Sequence, residues 1–404
     1  MTTAIQSKVI SKPPEPPGPL TWVRKNLFNN WYNSVLTIVS ITLIAIVLFA
    51  LFRWIFFIAD WRPVTTAPLL YLVGQYPRDQ LWRIGLILVI MSLLFGASWR
   101  KWGGVMRTFS LTYAVFLIFV ALWPSPQGGL PLQLRVFMLA NLAVILLGYQ
   151  IGGIKKLRGM YLAIAWLLSL AGNLLLLHGT DAFDIMEVVS TTLWGGLLVT
   201  LLLAVGGITL SFPIGVILAL GRQSNLPVFR WICTIIIEVV RGVPLIGLLF
   251  LSSLIVPLFL PPEIRIDRLL RALLGMIIFS AAYMAENVRG GLAAVPSGQV
   301  EAAKALGHNG FQITSFIVLP QALRAVIPPI VGQFISLFKD TTLASGVAVL
   351  ELLSVGRSIT QSTPEFIGLQ MEVYGFIALI FWIFSYMMSS ASQQIEVALG
   401  VGER

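Results

Sequence analysis

Charge is what this 404-residue sequence has least of: 11% of its residues are Asp, Glu, Lys or Arg, against 57% hydrophobic. A soluble domain carries about 25% charged residues, so the chain lacks the polar side chains to cover a water-soluble fold. Its mean hydropathy of +0.88 agrees. A soluble globular enzyme and a disordered chain are both excluded, and a membrane-embedded chain is expected. The single cysteine, Cys233, excludes an internal disulfide and a Cys-based metal site. The two histidines, His178 and His308, lie far apart with no carboxylate cluster beside them, which argues against a metal centre. No Ser/His/Asp or Cys/His set is arranged for nucleophilic catalysis. A Gly-x4-Gly-Lys-[Ser/Thr] phosphate loop is missing too, and the dipeptide Gly-Lys never occurs. Any energy the chain uses must come from a separate subunit or from an ion gradient.

Apolar runs of spanning length are abundant. They cover 35–52, 81–98, 108–123, 136–154, 160–177, 193–220, 228–260, 272–285, 327–350 and 373–393. A bilayer core of about 30 Å needs roughly 20 helical residues, so ten transmembrane helices are expected, those near 108 and 272 being the shortest. Pro213 should kink the long sixth span. Residues 1–33, with the run Lys12-Pro13-Pro14-Glu15-Pro16-Pro17-Gly18-Pro19, read as a flexible cytoplasmic tail without the pattern of a signal peptide.

The net charge of +10 comes from 27 Lys+Arg against 17 Asp+Glu. A nucleic-acid partner would need a solvated basic face, but here the basic residues stand in short clusters between apolar runs. With the N-terminus inside, more than half of the 27 fall on the cytoplasmic side, including Arg100-Lys101 and Lys155-Lys156. The outside loop between spans five and six carries Asp181, Asp184 and Glu187 and no Lys or Arg. Both termini are therefore expected in the cytoplasm, with membrane lipid rather than nucleic acid around the chain. Character changes near residue 185. Residues 34–185 hold about five helices and almost no charge at membrane depth, whereas 186–404 hold five helices with charge pairs, helix breakers and a long cytoplasmic loop at 299–322.

That loop carries the strongest motif. Glu301-Ala302-Ala303-Lys304-Ala305-Leu306-Gly307 is followed, nine residues later, by Ile317-Val318-Leu319-Pro320. The spacing predicts a short helix stopped by Gly307, a turn at Asn309-Gly310, and a second short helix stopped at Pro320. On shape alone an interfacial amphipathic helix is the alternative. The sequence resembles the signature of ABC importer permeases, in which this loop is the coupling helix that docks on an ATPase subunit. Glu238-Val239-Val240-Arg241-Gly242-Val243-Pro244-Leu245, Pro320-Gln321-Ala322-Leu323-Arg324, Pro328-Pro329, Lys339-Asp340-Thr341-Thr342-Leu343-Ala344 and Glu351-Leu352 resemble the polar amino acid permease group. Thr341-Thr342 departs mildly from that group's usual Thr-Ser and keeps the hydroxyl.

The resemblance covers about 193–394. It implies an all-α polytopic membrane protein: a five-helix type I ABC importer permease core preceded by a five-helix extension like that of broad-specificity L-amino acid importers. It implies ATPase coupling through Glu301, Ala302, Ala303, Gly307, Leu319 and Pro320. It also implies a second, different permease, an ATP-binding subunit dimer that holds ATP and Mg while this chain holds no cofactor, and a periplasmic amino-acid-binding protein. The setting would be a bacterial inner membrane.

Charge inside the expected spans is the second signal. In straight spans at 1.5 Å per residue, Glu238 and Arg241, and likewise Lys339 and Asp340, lie near the midplane. Gly242 and Pro244 adjoin one pair and Gly346 the other. Charge beside a broken helix is where transporters bind substrate, and a wall of both signs suits a zwitterion. Glu238 and Arg241, three apart, can pair with each other; a purely structural ion pair is the alternative there. Lys339, Asp340, Thr341 and Thr342 lean to the translocation path, partly by the resemblance. Glu286 and Arg289 either brace the loop or form a solvated helix end. The rival to an ABC permease is an ion-coupled secondary transporter of five-plus-five inverted repeats, although the first half carries no echo of the second half's motifs.

Overall fold

The structure is a computed structural model and describes residues 18–125, 129–180, 186–261, 263–398 and 400. The Pro-rich run before Gly18 and the acidic residues Asp181 and Asp184 lie outside the described residues. Among those described, every regular element is helical, and β-pairing is confined to three isolated bridges. Two compact units result: Met1–Asp60 and Trp61–Arg404.

The first unit holds α1 (Pro19–Leu27) and α2 (Trp31–Arg53). A π turn carries α2 on to Ile58, giving a 28-residue span that contains an 18-residue window of mean hydropathy 2.9 and no buried residue. A helix apolar on every side satisfies its backbone internally and leaves its side chains to lipid.

In the second unit, α3 (Pro68–Val73) is a short wedge, and α4 (Leu81–Trp102), α5 (Gly104–Leu122), α6 (Leu132–Gly152) and α7 (Gly159–His178) are spans. Small residues set the approach of α4 to α6. A Cβ added at Gly148 would stand 2.4 Å from the Leu93 carbonyl oxygen, and one at Gly152 2.4 Å from that of Ala97. In lipid, where burial of apolar surface gives helices no reason to associate, close backbone packing of this kind holds them together.

The wedge α3 reaches the second half of the chain. Tyr71, 1% exposed, lies 5.4 Å from the ring of Phe376 and 6.4 Å from that of Trp123. Beyond it Gly74 crosses Gly195 so closely that a Cβ would stand 2.5 Å from the opposing Cα, and both Gly74 and Gly196 have positive φ. No other residue type fits that crossing.

The later spans are α8 (Gly196–Arg222), α9 (Pro227–Gly242), α10 (Leu245–Phe250, continued by π and 3₁₀ turns to Phe259) and α11 (Arg268–Ala294). After them come α12 (Ser297–Ala305), α13 (Leu319–Ala325), α14 (Ile327–Asp340), α15 (Leu352–Ser362) and α16 (Gln370–Ala398). Helix α8 runs as one element through Pro213. Helix α11 packs along it and is 27 residues long, where the sequence indicated a short span ending before Glu286. The charges that ended the apolar run are ion-paired in the structure, so the helix continues past them.

Among the described residues, eight helices are long and apolar enough to cross a membrane, rising to ten if each of two bent pairs is one span. The pair α9–α10 is bent by 109° at Gly242–Pro244, and Gly310–Ala325 with Ile327–Val347 by 63°. Val243 lacks helical φ/ψ, and Pro244 cannot donate a helix hydrogen bond, so the first break follows from the sequence. The fold expected from the sequence is the fold observed.

Replacing Gly148 by Leu should open the α4–α6 contact and cost on the order of 2 kcal/mol. A thermal melt of the protein in lipid nanodiscs checks this; an unchanged midpoint would mean that the close approach contributes nothing.

Candidate functional site: the exposed loop after α11 and the charge network behind it

The loop that follows α11 is a stack of local rules. Helix α12 ends in a Schellman motif: the N–H of Gly307 donates to the Lys304 carbonyl at 2.9 Å and that of His308 to the Ala303 carbonyl at 3.2 Å. Gly307 takes φ +82°, which the motif requires and glycine adopts without strain. Asn309 then opens the next turn with a capping box, accepting from the Gln312 N–H at 2.9 Å while its own N–H donates to the Gln312 side chain at 3.0 Å.

The second helix does not stop at Pro320 as the sequence suggested. A π turn over Ile313–Val318 runs into α13, with Pro320 in its first turn. The wide turn leaves room for a ring that an α-helical register would clash with. The helix ends instead at Val326, ahead of Pro328-Pro329.

Ala303 and Ile313 point inward and are buried, which braces the two arms against each other. Glu301, Ala302, Gly307 and Pro320 are exposed and Leu319 is half-buried. Three large apolar side chains also stand out on this polar loop: Leu306 at 79%, Phe311 at 74% and Phe316 at 69% exposure. A cluster of exposed apolar residues on a rigid loop marks an interaction site.

Behind the loop sits a charge network that the sequence only half revealed. Glu286 on α11 is the hub. It pairs with Arg222 at the end of α8 at 3.4 Å, with Arg241 on α9 at 3.5 Å, and with Arg289 one turn along its own helix. Arg222 also pairs with Glu238 at 2.9 Å. The expected Glu238–Arg241 pair is not formed; each residue bonds outward to a neighbouring helix instead. The 109° break also removes the straight seventh span on which their depth was reckoned. Arg241 lies over the Tyr283 ring at 5.6 Å. Three arginines against two glutamates leave one formal positive charge, and the buried Nε of Arg241 has no hydrogen-bond partner.

The second group of sequence candidates stands apart, on α14 and the 3₁₀ turn after it. Lys339 is exposed, Asp340 half-buried and Thr341 fully buried. Thr341 donates to the Phe338 carbonyl at 2.7 Å and Thr342 to that of Lys339 at 2.9 Å, so both hydroxyls secure the change from α to 3₁₀. No hydrogen bond or ion pair joins this group to Glu238 or Arg241.

One residue quoted in the motifs is more constrained than sequence could indicate. Glu351 is fully buried and caps α15, accepting from the Leu353 N–H at 2.7 Å, the Ser354 N–H at 2.8 Å and the Ser354 hydroxyl at 3.0 Å. Burial pushes its carboxyl up to about 7 despite those bonds. Next to it the Leu352 N–H donates to Thr200 at 3.0 Å, and the Gly196 N–H donates to the Leu350 carbonyl at 2.9 Å, fastening this turn to the start of α8.

Broken spans, a braced exposed loop and a charge hub behind it form an arrangement suited to a membrane transport permease. Comparison with known proteins gives the family. Residues 211–396 match the family described as "Binding-protein-dependent transport system inner membrane component". The chain is 37% identical to the "Inner membrane amino-acid ABC transporter permease protein YhdY" of Escherichia coli (strain K12), over 98% of both chains. It is 35% identical to the "Glutamate/glutamine/aspartate/asparagine transport system permease protein BztC" of Rhodobacter capsulatus, again over 98% of both. A solved structure titled "Crystal structure of an amino acid ABC transporter with histidines" matches 50% of this chain and 92% of its own at 28% identity, with a TM-score of 0.45.

The chain belongs to the ABC importer permeases of the amino-acid group. It is a multi-pass inner-membrane transport component, and the inverted-repeat secondary transporter is set aside.

Two outcomes are expected. Replacing Glu286 by Gln leaves three arginines short of their shared partner and should cost on the order of 2 kcal/mol, discounted for the hub's partial exposure. It should show as a lowered melting midpoint that Glu286→Asp partly restores. For Glu351, a carboxyl raised in the fold contributes stability that is fully present below about pH 4.5 and is lost as pH rises through about 7. The melting midpoint should therefore fall between pH 5 and pH 8, and fall less in Glu351→Gln; equal slopes would contradict the assignment.

Proposed function

We propose that this chain is the translocation subunit of an ATP-driven importer for polar L-amino acids. The observation that carries this reading is the braced loop with exposed Leu306, Phe311 and Phe316, which offers an apolar knob to a partner on the cytoplasmic side. That partner is an ATPase dimer, which holds ATP and Mg; this chain supplies neither nucleotide site nor cofactor and is not an enzyme. A second permease, a different chain, completes the pathway, and a periplasmic binding protein delivers substrate. Both termini are cytoplasmic in a bacterial inner membrane, as the distribution of basic residues indicates. The amino-acid substrate class is supported by the names of the two full-length relatives.

Residues 186–404 form the working core and 34–185 an extension. In the cycle, ATPase closure draws the loops together through Glu301, Ala302, Ala303, Gly307, Leu319 and Pro320. Because α12 follows α11 with only Val295 and Pro296 between them, the pull passes along α11 to Glu286 and so to the broken α9–α10 pair. Glu238, Arg241, Lys339, Asp340, Thr341 and Thr342 border the path, whose mixed charge suits an ammonium and a carboxylate.

Replacing Glu301 by Ala together with Gly307 by Val should abolish amino-acid uptake while the protein still reaches the membrane. Phe311→Asp should, in addition, prevent the ATPase from co-purifying. Normal uptake in the double variant would overturn the coupling role.

A further inference from the structure

Between Asp79 and Asp181 the chain has no acidic residue. That stretch holds α4 to α7 of the extension, and six of its eight basic residues gather at one end of these helices. Arg100 and Lys101 lie in the last turn of α4, Arg107 in the first turn of α5, and Lys155, Lys156 and Arg158 in the connection from α6 to α7. The other two, Arg83 and Arg135, lie at the opposite helix ends. Arg83 is buried there, and Arg135 donates to the carbonyls of Ala121 and Trp123. None of the six pairs with a carboxylate among the described residues. The core differs: its hub arginines share Glu286 and Glu238, and its exposed loop carries Glu301.

The two connections that carry these charges touch. Helix α4 turns into α5 through Gly103 alone. Arg100 reaches across to α6, donating to the Tyr149 hydroxyl at 2.8 Å with its guanidinium 5.0 Å from the centre of that ring. A Cβ on Gly153 would stand 3.6 Å from the Arg100 Nε, and one on Gly159 3.0 Å from the Trp102 Nε1. Five of the six basic side chains are exposed and Lys101 is half-buried. Trp102 and Tyr161 are exposed beside them, and the adjoining turns of α6 and α7 expose Leu147, Ile151 and Met160. Connections this short hold the charges close to the ends of the spans, at the level where lipid headgroups lie and where Trp and Tyr accumulate. Orienting the chain needs only an excess of Lys and Arg on one side; it does not require acids to be excluded or aromatic side chains to stand among the cations.

We propose that this end of the extension is a docking surface for anionic phospholipid. Arg100, Lys155, Lys156 and Arg158 hold the headgroup phosphate, and the acyl chains lie along the exposed apolar side chains of α6 and α7. Phosphate oxygens accept charge-assisted hydrogen bonds from Arg and Lys, and each cation near an anionic leaflet adds to the attraction. Cations, then interfacial aromatics, then bare apolar side chains follow the order of headgroup, glycerol region and acyl chain in such a lipid. An acidic soluble partner would match the cations but not the apolar flank beside them. The inference does not depend on what the chain transports, and it gives the extension a task of its own: fixing the permease to anionic lipid.

The test is photo-crosslinking of the full permease–ATPase complex in phosphatidylcholine nanodiscs doped with phosphatidylglycerol that carries a photoreactive acyl chain, followed by peptide mapping. Labelling is expected to concentrate on residues 99–107 and 146–161, and photoreactive phosphatidylcholine at the same fraction should label them about tenfold less. That comparison needs no variant. Lys155→Gln, Lys156→Gln and Arg158→Gln together should lower the phosphatidylglycerol labelling about tenfold, whereas Lys155→Arg with Lys156→Arg should keep it. The three side chains are exposed and their replacement leaves the packed interior alone; an unchanged melting midpoint verifies this. Soluble glycerol phosphate should not displace the lipid. Equal labelling by the two lipids, labelling indifferent to the triple replacement, or displacement by glycerol phosphate overturns the proposal. So does labelling that appears only once the ATPase is removed, which would assign these connections to that subunit.

Discussion

Arginines from three helices repel one another unless a carboxylate stands among them, and in this chain Glu286 supplies it. One carboxylate faces Arg222, Arg241 and Arg289, drawn from α8, α9 and α11. Parting the three helices at this level would leave the partly exposed arginines without their shared partner, at a cost on the order of 2 kcal/mol. The hub therefore fixes where α8 ends, lets α11 run on past its own charges, and anchors α9 just before the polypeptide turns by 109°. Much of the loop-side half of the core is consistent with that single constraint.

The hub also explains why a rigid loop is useful there. Helix α11 leads almost without interruption into α12, whose end is fixed by a Schellman motif and whose return arm opens with a capping box. Movement imposed on such a loop has little local slack in which to be absorbed, and it arrives at a cluster whose partners lie on α8 and α9. At the other face, the turn at Ala348–Leu352 is fastened to the start of α8 by Thr200 and by the Gly196 N–H. The extension enters the same junction through α3 and the glycine crossing at Gly74 and Gly195. From Trp61 onward the extension and the core are one packed body rather than a core with an appendage.

Much of this was legible in the sequence, and for physical reasons. Spanning helices are set by hydropathy, which is local, and the loop by Gly307, Asn309 and Gln312, whose capping preferences are local as well. What escaped was decided by tertiary partners. Glu238 and Arg241 stand at a helical spacing that allows a pair, yet each found a better-placed partner on another helix. The end of span eight was placed short because Glu286 and Arg289 resemble a solvated terminus until the arginines around them are known. Pro320 resembles a stop until a π turn makes room for it. The turn that buries Glu351 depends on a segment far away in the chain, Gly196 and Thr200 of α8, and no local pattern announces such a meeting.

The central claim is that ATP hydrolysis on a separate subunit, transmitted through this chain, moves a polar amino acid inward. The most direct measurement is uptake of labelled L-glutamine into proteoliposomes holding the assembled complex, with the binding protein outside the vesicle and nucleotide inside it. The account predicts accumulation that requires hydrolysable ATP and is unaffected by collapsing sodium and proton gradients. Accumulation without nucleotide, driven by either gradient, would contradict it.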